Sequence, residues 1–349
     1  MTARLLTLTL LTTLSIPVAA RAQGLWEQPR YAAILEDANT GEVLYERRAD
    51  LTRFPASITK VMTLYLAFDA LANGHCRLDD RIAISRHAAN QPPSKLGLRV
   101  GETISVEEAM RVIAVKSAND IAVALAEHLA GTEPAFVAQM NAKAASLGMR
   151  GTHFMNANGL PDAAHYTTAR DLATLSSALL KNHADRYAFF STPDYVRAGR
   201  VTLNHNHLLG QVPGVDGIKT GYTASAGYTL AASAVRDGRR LIAIVLGSPT
   251  GHARDNNVAQ LLDAGFTVMQ QRMLGLQTSV AGLLGEGGAV PFAAVPFAAV
   301  PFAAVPFVAS PIRIAPRADP IGQLITGWGR KPPSARPAAS PLATNQSSF

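Results

Sequence analysis

The sequence predicts an α+β fold in which segments from the two ends of one domain share an antiparallel sheet and helices fill the middle. Three observations carry this. Strand-like runs stand near the start, from Tyr31 to Arg48, and again late, from Val215 to Gly247. The periodic segments between them have helical spacing. Beyond Gly285 the chain turns to a proline-punctuated repeat and leaves the globular range.

Taken in order, Arg4 is followed by a leucine-rich run from Leu5 to Val18 and then by Ala20-Arg21-Ala22. This pattern reads as an export signal over residues 1–22, with an apolar run too short for a comfortable membrane span. YAAILEDANTGEVLYERR alternates apolar and polar on both sides of Asn39-Thr40-Gly41, as a β-hairpin does. A helical run then opens at Pro55, and from Val61 it is apolar nearly all round, which predicts a buried central helix. Cys76 to Gly101 is polar, contains Pro92-Pro93, and reads as short elements and loop. Ser105 and Glu108 have the capping-box spacing at the head of EEAMRVIAV, which ends near Lys116-Ser117-Ala118-Asn119. The helices DIAVALAEHLAG and Pro134 to Leu147 stop at Gly131 and Gly148. THFMNANGLPDAAHYTT is loop, with His153 and His165 expected at its surface. In the helix DLATLSSALLKN that follows, Asp171 serves as a cap or first-turn charge.

VDGIKTGYT, YTLAASAV and LIAIVLG read as an antiparallel meander, the last two joined around Asp237-Gly238, with a closing helix from about Asn256 to Met269. The catalytic domain is therefore expected over residues 23–270, with a connector over 271–286. Residues 287–309 repeat Ala-Val-Pro-Phe-Ala with prolines at 291, 296, 301 and 306, a spacing no helix survives, and an extended linker is expected. Residues 310–349, rich in Pro, Ala and Ser, read as a disordered tail.

Length and composition, 349 residues at 48% hydrophobic, are ample for a packed core. The net charge of +7 belongs to the ends: removing the +4 that follows Pro311 and the +2 of the first 22 residues leaves +1 for the rest. A nucleic-acid partner is not implied. Cys76 stands alone, so an exported chain has no internal disulfide; it reads as a half-buried small side chain.

The chemistry is expected at Pro55-Ala56-Ser57-Ile58-Thr59-Lys60, where a serine and a lysine three apart share a helix face. Lys60 is the only charge between Arg53 and Asp69, so burial makes its neutral form accessible as a base toward Ser57. Alone, this pair reads more simply as an N-terminal helix serine and a snorkelling lysine. Two further motifs follow in order: Ser117-Ala118-Asn119 in a turn between helices, and Lys219-Thr220-Gly221 on a terminal strand. Two serines and two lysines converging in a cleft supply a nucleophile, a proton path and a cationic anchor for an acidic peptide end. Gly221 leaves room for a peptide along the strand edge. Against this, Ser117 and Asn119 could cap the following helix and Lys219 could guard an edge strand. His205 and His207 alternate without an evident third ligand, and no metal site is expected.

This ordered set resembles the penicillin-binding protein and serine β-lactamase superfamily. With F-P-A-S-I-T-K, F-x-N-x-x-G-L at Phe154 to Leu160, and V-D-G-I-K-T-G-Y-T, it looks most like the serine D-alanyl-D-alanine carboxypeptidases, over about Tyr31 to Phe266. The resemblance implies a β-lactamase/transpeptidase-like fold and an acyl-enzyme formed on Ser57, with Lys60 as base and Ser117 as proton relay. Asn119 would hold the substrate amide, while Lys219, Thr220 and Arg254 would meet its terminal carboxylate. The N–H groups of Ser57 and Tyr222 would form the oxyanion hole. Its implied partners are peptidoglycan stem peptides as substrates and β-lactams as covalent inhibitors, with no cofactor and no metal. Many members also carry a small β domain and a C-terminal amphipathic helix; neither pattern is found in this sequence. Alternatives within the resemblance are a D,D-endopeptidase, a β-lactamase and a non-catalytic penicillin sensor.

Overall fold

The computed structural model describes residues 29–286; the signal segment, the repeat and the tail of the sequence reading lie outside them. The first hairpin pairs β1 (Ala32–Asp37) with β2 (Val43–Arg47). Its turn is closed by the Asp37 carboxylate, which accepts from the backbone N–H of Asn39, and by Gly41 at φ 76°. A 3₁₀ turn at Ala56–Ile58 leads into α1 (Thr59–Ala72), whose residues from Thr59 to Phe68 are all buried. Next come β3 (Arg81–Ala83), α2 (Arg86–Ala89) and β4 (Thr103–Ser105), then the helices α3 (Val106–Lys116), α4 (Asn119–Ala130), α5 (Glu133–Ser146) and α6 (Ala169–Asn182). After α7 (Ala188–Ser191), a small hairpin joins β5 (Asp194–Arg197) to β6 (Arg200–Leu203). The chain then forms β7 (Val215–Thr223), β8 (Gly227–Arg236), β9 (Arg239–Ser248), α8 (Gly251–Met273) and α9 (Val280–Leu283).

The main sheet runs β2-β1-β9-β8-β7, so the chain's first and last strands lie side by side, with Ile34 opposite Ile244. Alternation sends Ala32 and Ile34 into the core shared with the helices α1, α3, α4 and α6. Tyr31, Ala33 and Leu35 point to the other face, where Val258, Leu261 and Leu262 of α8 cover them. Both faces are therefore covered, and β7 is left with one unpaired edge. The Asp237-Gly238 turn has both residues at positive φ, as a two-residue hairpin requires.

Several expectations change. The closing helix begins at Gly251, because Thr250 caps it by accepting from the Ala253 N–H. Only half the capping box forms: Ser105 accepts from the Glu108 N–H, but the Glu108 carboxylate turns to Tyr195 and Arg197. The β5–β6 hairpin, turning at Ala198-Gly199, was not expected from the sequence, its strands being only four residues each. His165, expected at the surface, is 2% exposed, and Cys76 is buried. Asp171 is no simple first-turn charge, since its carboxylate accepts from the Gly151 N–H and the Thr152 hydroxyl, and Thr168 is the cap. Among the described residues no helix is long and apolar enough to cross a membrane.

Candidate active site

Four elements gather the predicted residues around one cleft of about 420 Å³, lined by Ser57, Ser117, Asn119, Thr220, Gly221, Tyr222 and, from α8, Arg254, with Lys60 and Lys219 buried behind its wall. The 3₁₀ turn and α1 present Ser57 and Lys60. The bend between α3 and α4 presents Ser117 and Asn119. Strand β7 presents Lys219 through Tyr222.

Lys60 is completely buried. Its Nζ lies 3.0 Å from Ser57 Oγ, 2.7 Å from Asn119 Oδ1 and 2.6 Å from the carbonyl oxygen of Asn158. Burial, and then the charge of Lys219, hold its ammonium well below the ordinary lysine range, while Asp120 opposes them. Asp120 itself is buried and accepts from the N–H groups of Leu96 and Gly97, which fastens the Pro92–Gly97 wall of the cleft to α4.

Ser117 ends α3 in the left-handed conformation, φ 61° and ψ 34°, an uncommon place for a residue with a Cβ. Its buried Oγ has no hydrogen-bond partner among the described residues. Asn119, expected to hold a substrate amide, spends Oδ1 on Lys60 and one Nδ2 proton on the Pro92 carbonyl. One N–H is left for a substrate, and its visible task is to position the lysine.

Ala56 is also at positive φ, 49°, immediately before the nucleophile. Two glycines make this turn possible. A Cβ on Gly159 would fall 1.9 Å from the Ala56 carbonyl oxygen, and one on Gly221 would fall 2.9 Å from the Ser57 nitrogen. Gly221 is thus needed where β7 packs onto the nucleophile's turn, a different reason from the clearance for a peptide that the sequence suggested.

Lys219 is 2% exposed, donates to the Thr220 carbonyl, and has its pKa lowered to about 7 by burial and by the neighbouring Arg254. Arg254 stands in the first turn of α8, with Nε and Nη2 both on Asp255 Oδ1 at 2.8 and 2.6 Å. Tyr222 is half exposed and stacks on Tyr228 with ring centroids 4.3 Å apart. The cleft also takes Pro93, Ser94, His205 and His207, which sequence reasoning did not assign to it. His165 is not in the cleft but under it, where its Nδ1 accepts from the Met155 N–H and its Nε2 bonds the Thr59 hydroxyl at 2.9 Å. Burial lowers its pKa to about 4, so it is a neutral structural ring.

A sequence profile described as D-alanyl-D-alanine carboxypeptidase matches residues 22–250. The chain is 39% identical over 240 residues to the D-alanyl-D-alanine carboxypeptidase DacF of Bacillus subtilis, covering 68% of this chain and 62% of that protein. It is 38% identical over 240 residues to DacA of Escherichia coli, covering 67% of this chain and 60% of that one. The match therefore spans about three fifths of these relatives. Among solved structures, penicillin binding protein 5 of Haemophilus influenzae superposes with a TM-score of 0.66 at 36% identity, covering 68% of this chain and 70% of that one. Penicillin-binding protein D2 of Listeria monocytogenes in its ampicillin-bound form gives 0.62 at 34%, covering 67% and 96%.

Proposed function

The chain belongs to the D-alanyl-D-alanine carboxypeptidase family, and from that premise we propose that it is an exported serine carboxypeptidase that removes the terminal D-alanine from peptidoglycan pentapeptides. The observation that carries the proposal is the set of partners around Lys60. A neutral amine has two N–H donors and one lone pair. Asn119 Oδ1 and the Asn158 carbonyl can only accept, so they take both donors, and the lone pair is left for the Ser57 hydroxyl at 3.0 Å. Burial and the nearby Lys219 supply the neutral amine. The arrangement is that of a serine with its base in place.

In the proposed reaction the Ser57 hydroxyl gives its proton to Lys60 as Oγ bonds to the carbonyl carbon of the penultimate residue. The oxygen that becomes negative is met by the N–H groups of Ser57 and Tyr222, at the mouth of the 3₁₀ turn. The C–N bond to the last D-alanine breaks, and the nitrogen takes the proton from Lys60 by way of Ser117, whose unpartnered hydroxyl lines the same cleft. Water then attacks the ester, Lys60 acting again as base, and releases the shortened peptide. Thr220 and Arg254 at the cleft, with the buried Lys219 behind Thr220, are the groups proposed to receive the terminal carboxylate. Penicillin, with a carboxylate and a strained amide, acylates Ser57 by the same steps.

Pentapeptide and a cross-linked dimer offered to the purified chain test the reading. Release of free D-alanine from the pentapeptide, with the dimer cut much more slowly, is expected. Lys60→Arg is expected to be nearly inactive, because guanidinium does not give up its proton. Faster cutting of the dimer would instead assign an endopeptidase.

A further inference from the structure

Lys60 owes its orientation to two acceptors, and one of these, the Asn158 carbonyl, sits on a loop that must itself be held. Within the loop Asn156 Oδ1 accepts from the Gly159 N–H at 2.7 Å, and from outside it Glu133, the first residue of α5, fastens the residue before Asn158. Glu133 Oε1 accepts from the Ala157 N–H at 3.0 Å, and Oε2 lies 2.6 Å from His87 Nε2. From His87 the path runs along the end of α2 to Gln91, whose Oε1 accepts from Asn158 Nδ2 at 2.9 Å. The ring closes at Ala157, whose carbonyl accepts from the Thr63 hydroxyl of α1 at 2.6 Å. Pro92, next to Gln91, also supplies the carbonyl that fixes Asn119. Both acceptors of Lys60 are thereby tied to one hydrogen-bonded ring, with Glu133 as its only carboxylate. The Glu133 side chain is 11% exposed, whereas His87 is open to solvent on its far side.

We infer that Glu133 is a positioning residue for the reaction, acting through the Ala157–Asn158 backbone on Lys60; this rests on the function proposed above. Without its carboxylate the Ala157 N–H is unpaired and the loop is held by fewer bonds, those of Asn156 to the Gly159 N–H, Gln91 to Asn158 Nδ2 and Thr63 to the Ala157 carbonyl, so the Asn158 carbonyl is placed less firmly and the lone pair of the neutral lysine is less well confined to Ser57. The protonated lysine is less firmly held by that acceptor as well, which disfavours the ammonium and moves its titration to lower pH. A carboxylate at N1 that merely favoured the start of α5 would change stability and leave that titration in place.

The experiment measures acylation by a fluorescent penicillin and D-alanine release from pentapeptide, each from pH 5 to 9, with the thermal midpoint taken alongside. Glu133→Ala is expected to slow both reactions about ten-fold, the scale of a small misplacement of a reacting group, and to shift the acid limb to lower pH. Glu133→Gln, which keeps an acceptor for Ala157, should restore most of the rate. A wild-type rate in Glu133→Ala, or a slower rate with the acid limb unmoved, overturns the inference. Should Glu133→Ala not fold, Glu133→Asp decides: it keeps the charge at α5 but shortens the reach, and a wild-type rate and limb there overturn it equally. A wild type that neither releases D-alanine nor is acylated would instead sink the proposed function.

Discussion

Replacing Gly221 by alanine separates the packing of the nucleophile from its chemistry. The new Cβ would stand 2.6 Å from Thr229 Oγ1, 2.9 Å from the Ser57 nitrogen and 3.0 Å from Ala56 Cβ. Ordinary contacts begin at 3.4 Å, so the turn carrying Ser57 must retreat from β7 by about 0.5 Å, and the backbone there cannot rotate away as a side chain can. Misplacement by 1 Å costs on the order of 100-fold, and half of that, with a disturbed oxyanion donor, is worth roughly 10- to 100-fold in acylation. Overpacking adds about 1–3 kcal/mol of destabilisation, and for a domain of this size each kcal/mol lowers the midpoint by about 2–4 °C. The assays are the second-order rate constant for acylation by a fluorescent penicillin and thermal unfolding. Adding Thr229→Ala removes the worst contact but leaves Ser57 displaced, so the double variant should recover part of the midpoint and little of the rate. A Gly221→Ala variant that acylates at the wild-type rate would refute this account of the glycine.

The pH dependence of peptide turnover follows from Lys219, whose cation is lost in the free protein as pH rises through about 7. Its kcat/KM is therefore expected to fall above that pH, kcat less so because a bound carboxylate raises the lysine's pKa, and Lys219→Arg should flatten the alkaline limb; a pH profile of both constants checks this. Cutting the chain after Glu286 should leave activity intact. Cutting after Leu284 removes the acceptor of the Tyr45 hydroxyl and the partner of Arg47, and should lower the unfolding midpoint by several degrees for a loss of about 1–2 kcal/mol. Because the sequence has no glutamate between Glu133 and Glu286 to activate a deacylating water, the penicillin adduct should outlast the peptide acyl-enzyme, as the decay of a labelled band would show. Rapid multiple turnover of penicillin would favour a β-lactamase.

The strands and long helices were readable because each has a simple period and a stop signal: Asp237-Gly238, Gly131 and Gly148 mark ends wherever read. The buried lysine was readable too, as the sole charge in an apolar helix. The carbonyl of Asn158 was not, since a backbone group has no residue signature, although the motif containing it was visible. The task of Asn119 was hidden for a related reason: which partner takes an amide oxygen depends on a residue 59 positions away. His165 looked like loop surface because its segment is rich in Asn, Gly and Pro; only the bond of its ring to Thr59 of α1 and the packing around it show that it is buried. The β5–β6 hairpin escaped because its strands are only four residues long, too short for their alternation to stand out, and because the face bearing Val196, Val201 and Leu203 is exposed and not part of a core.

Ser57 Oγ is the atom expected to become acylated. The chain can be mixed with a pentapeptide ending in D-alanyl-D-alanine, quenched in acid within the first turnover, and its intact mass and proteolytic fragments measured. The expected result is a gain equal to the tetrapeptidyl acyl group, mapped to the fragment containing Ser57, with one D-alanine released per adduct and neither seen in Ser57→Ala. D-alanine release undiminished in Ser57→Ala, or an adduct on any other residue, would contradict it.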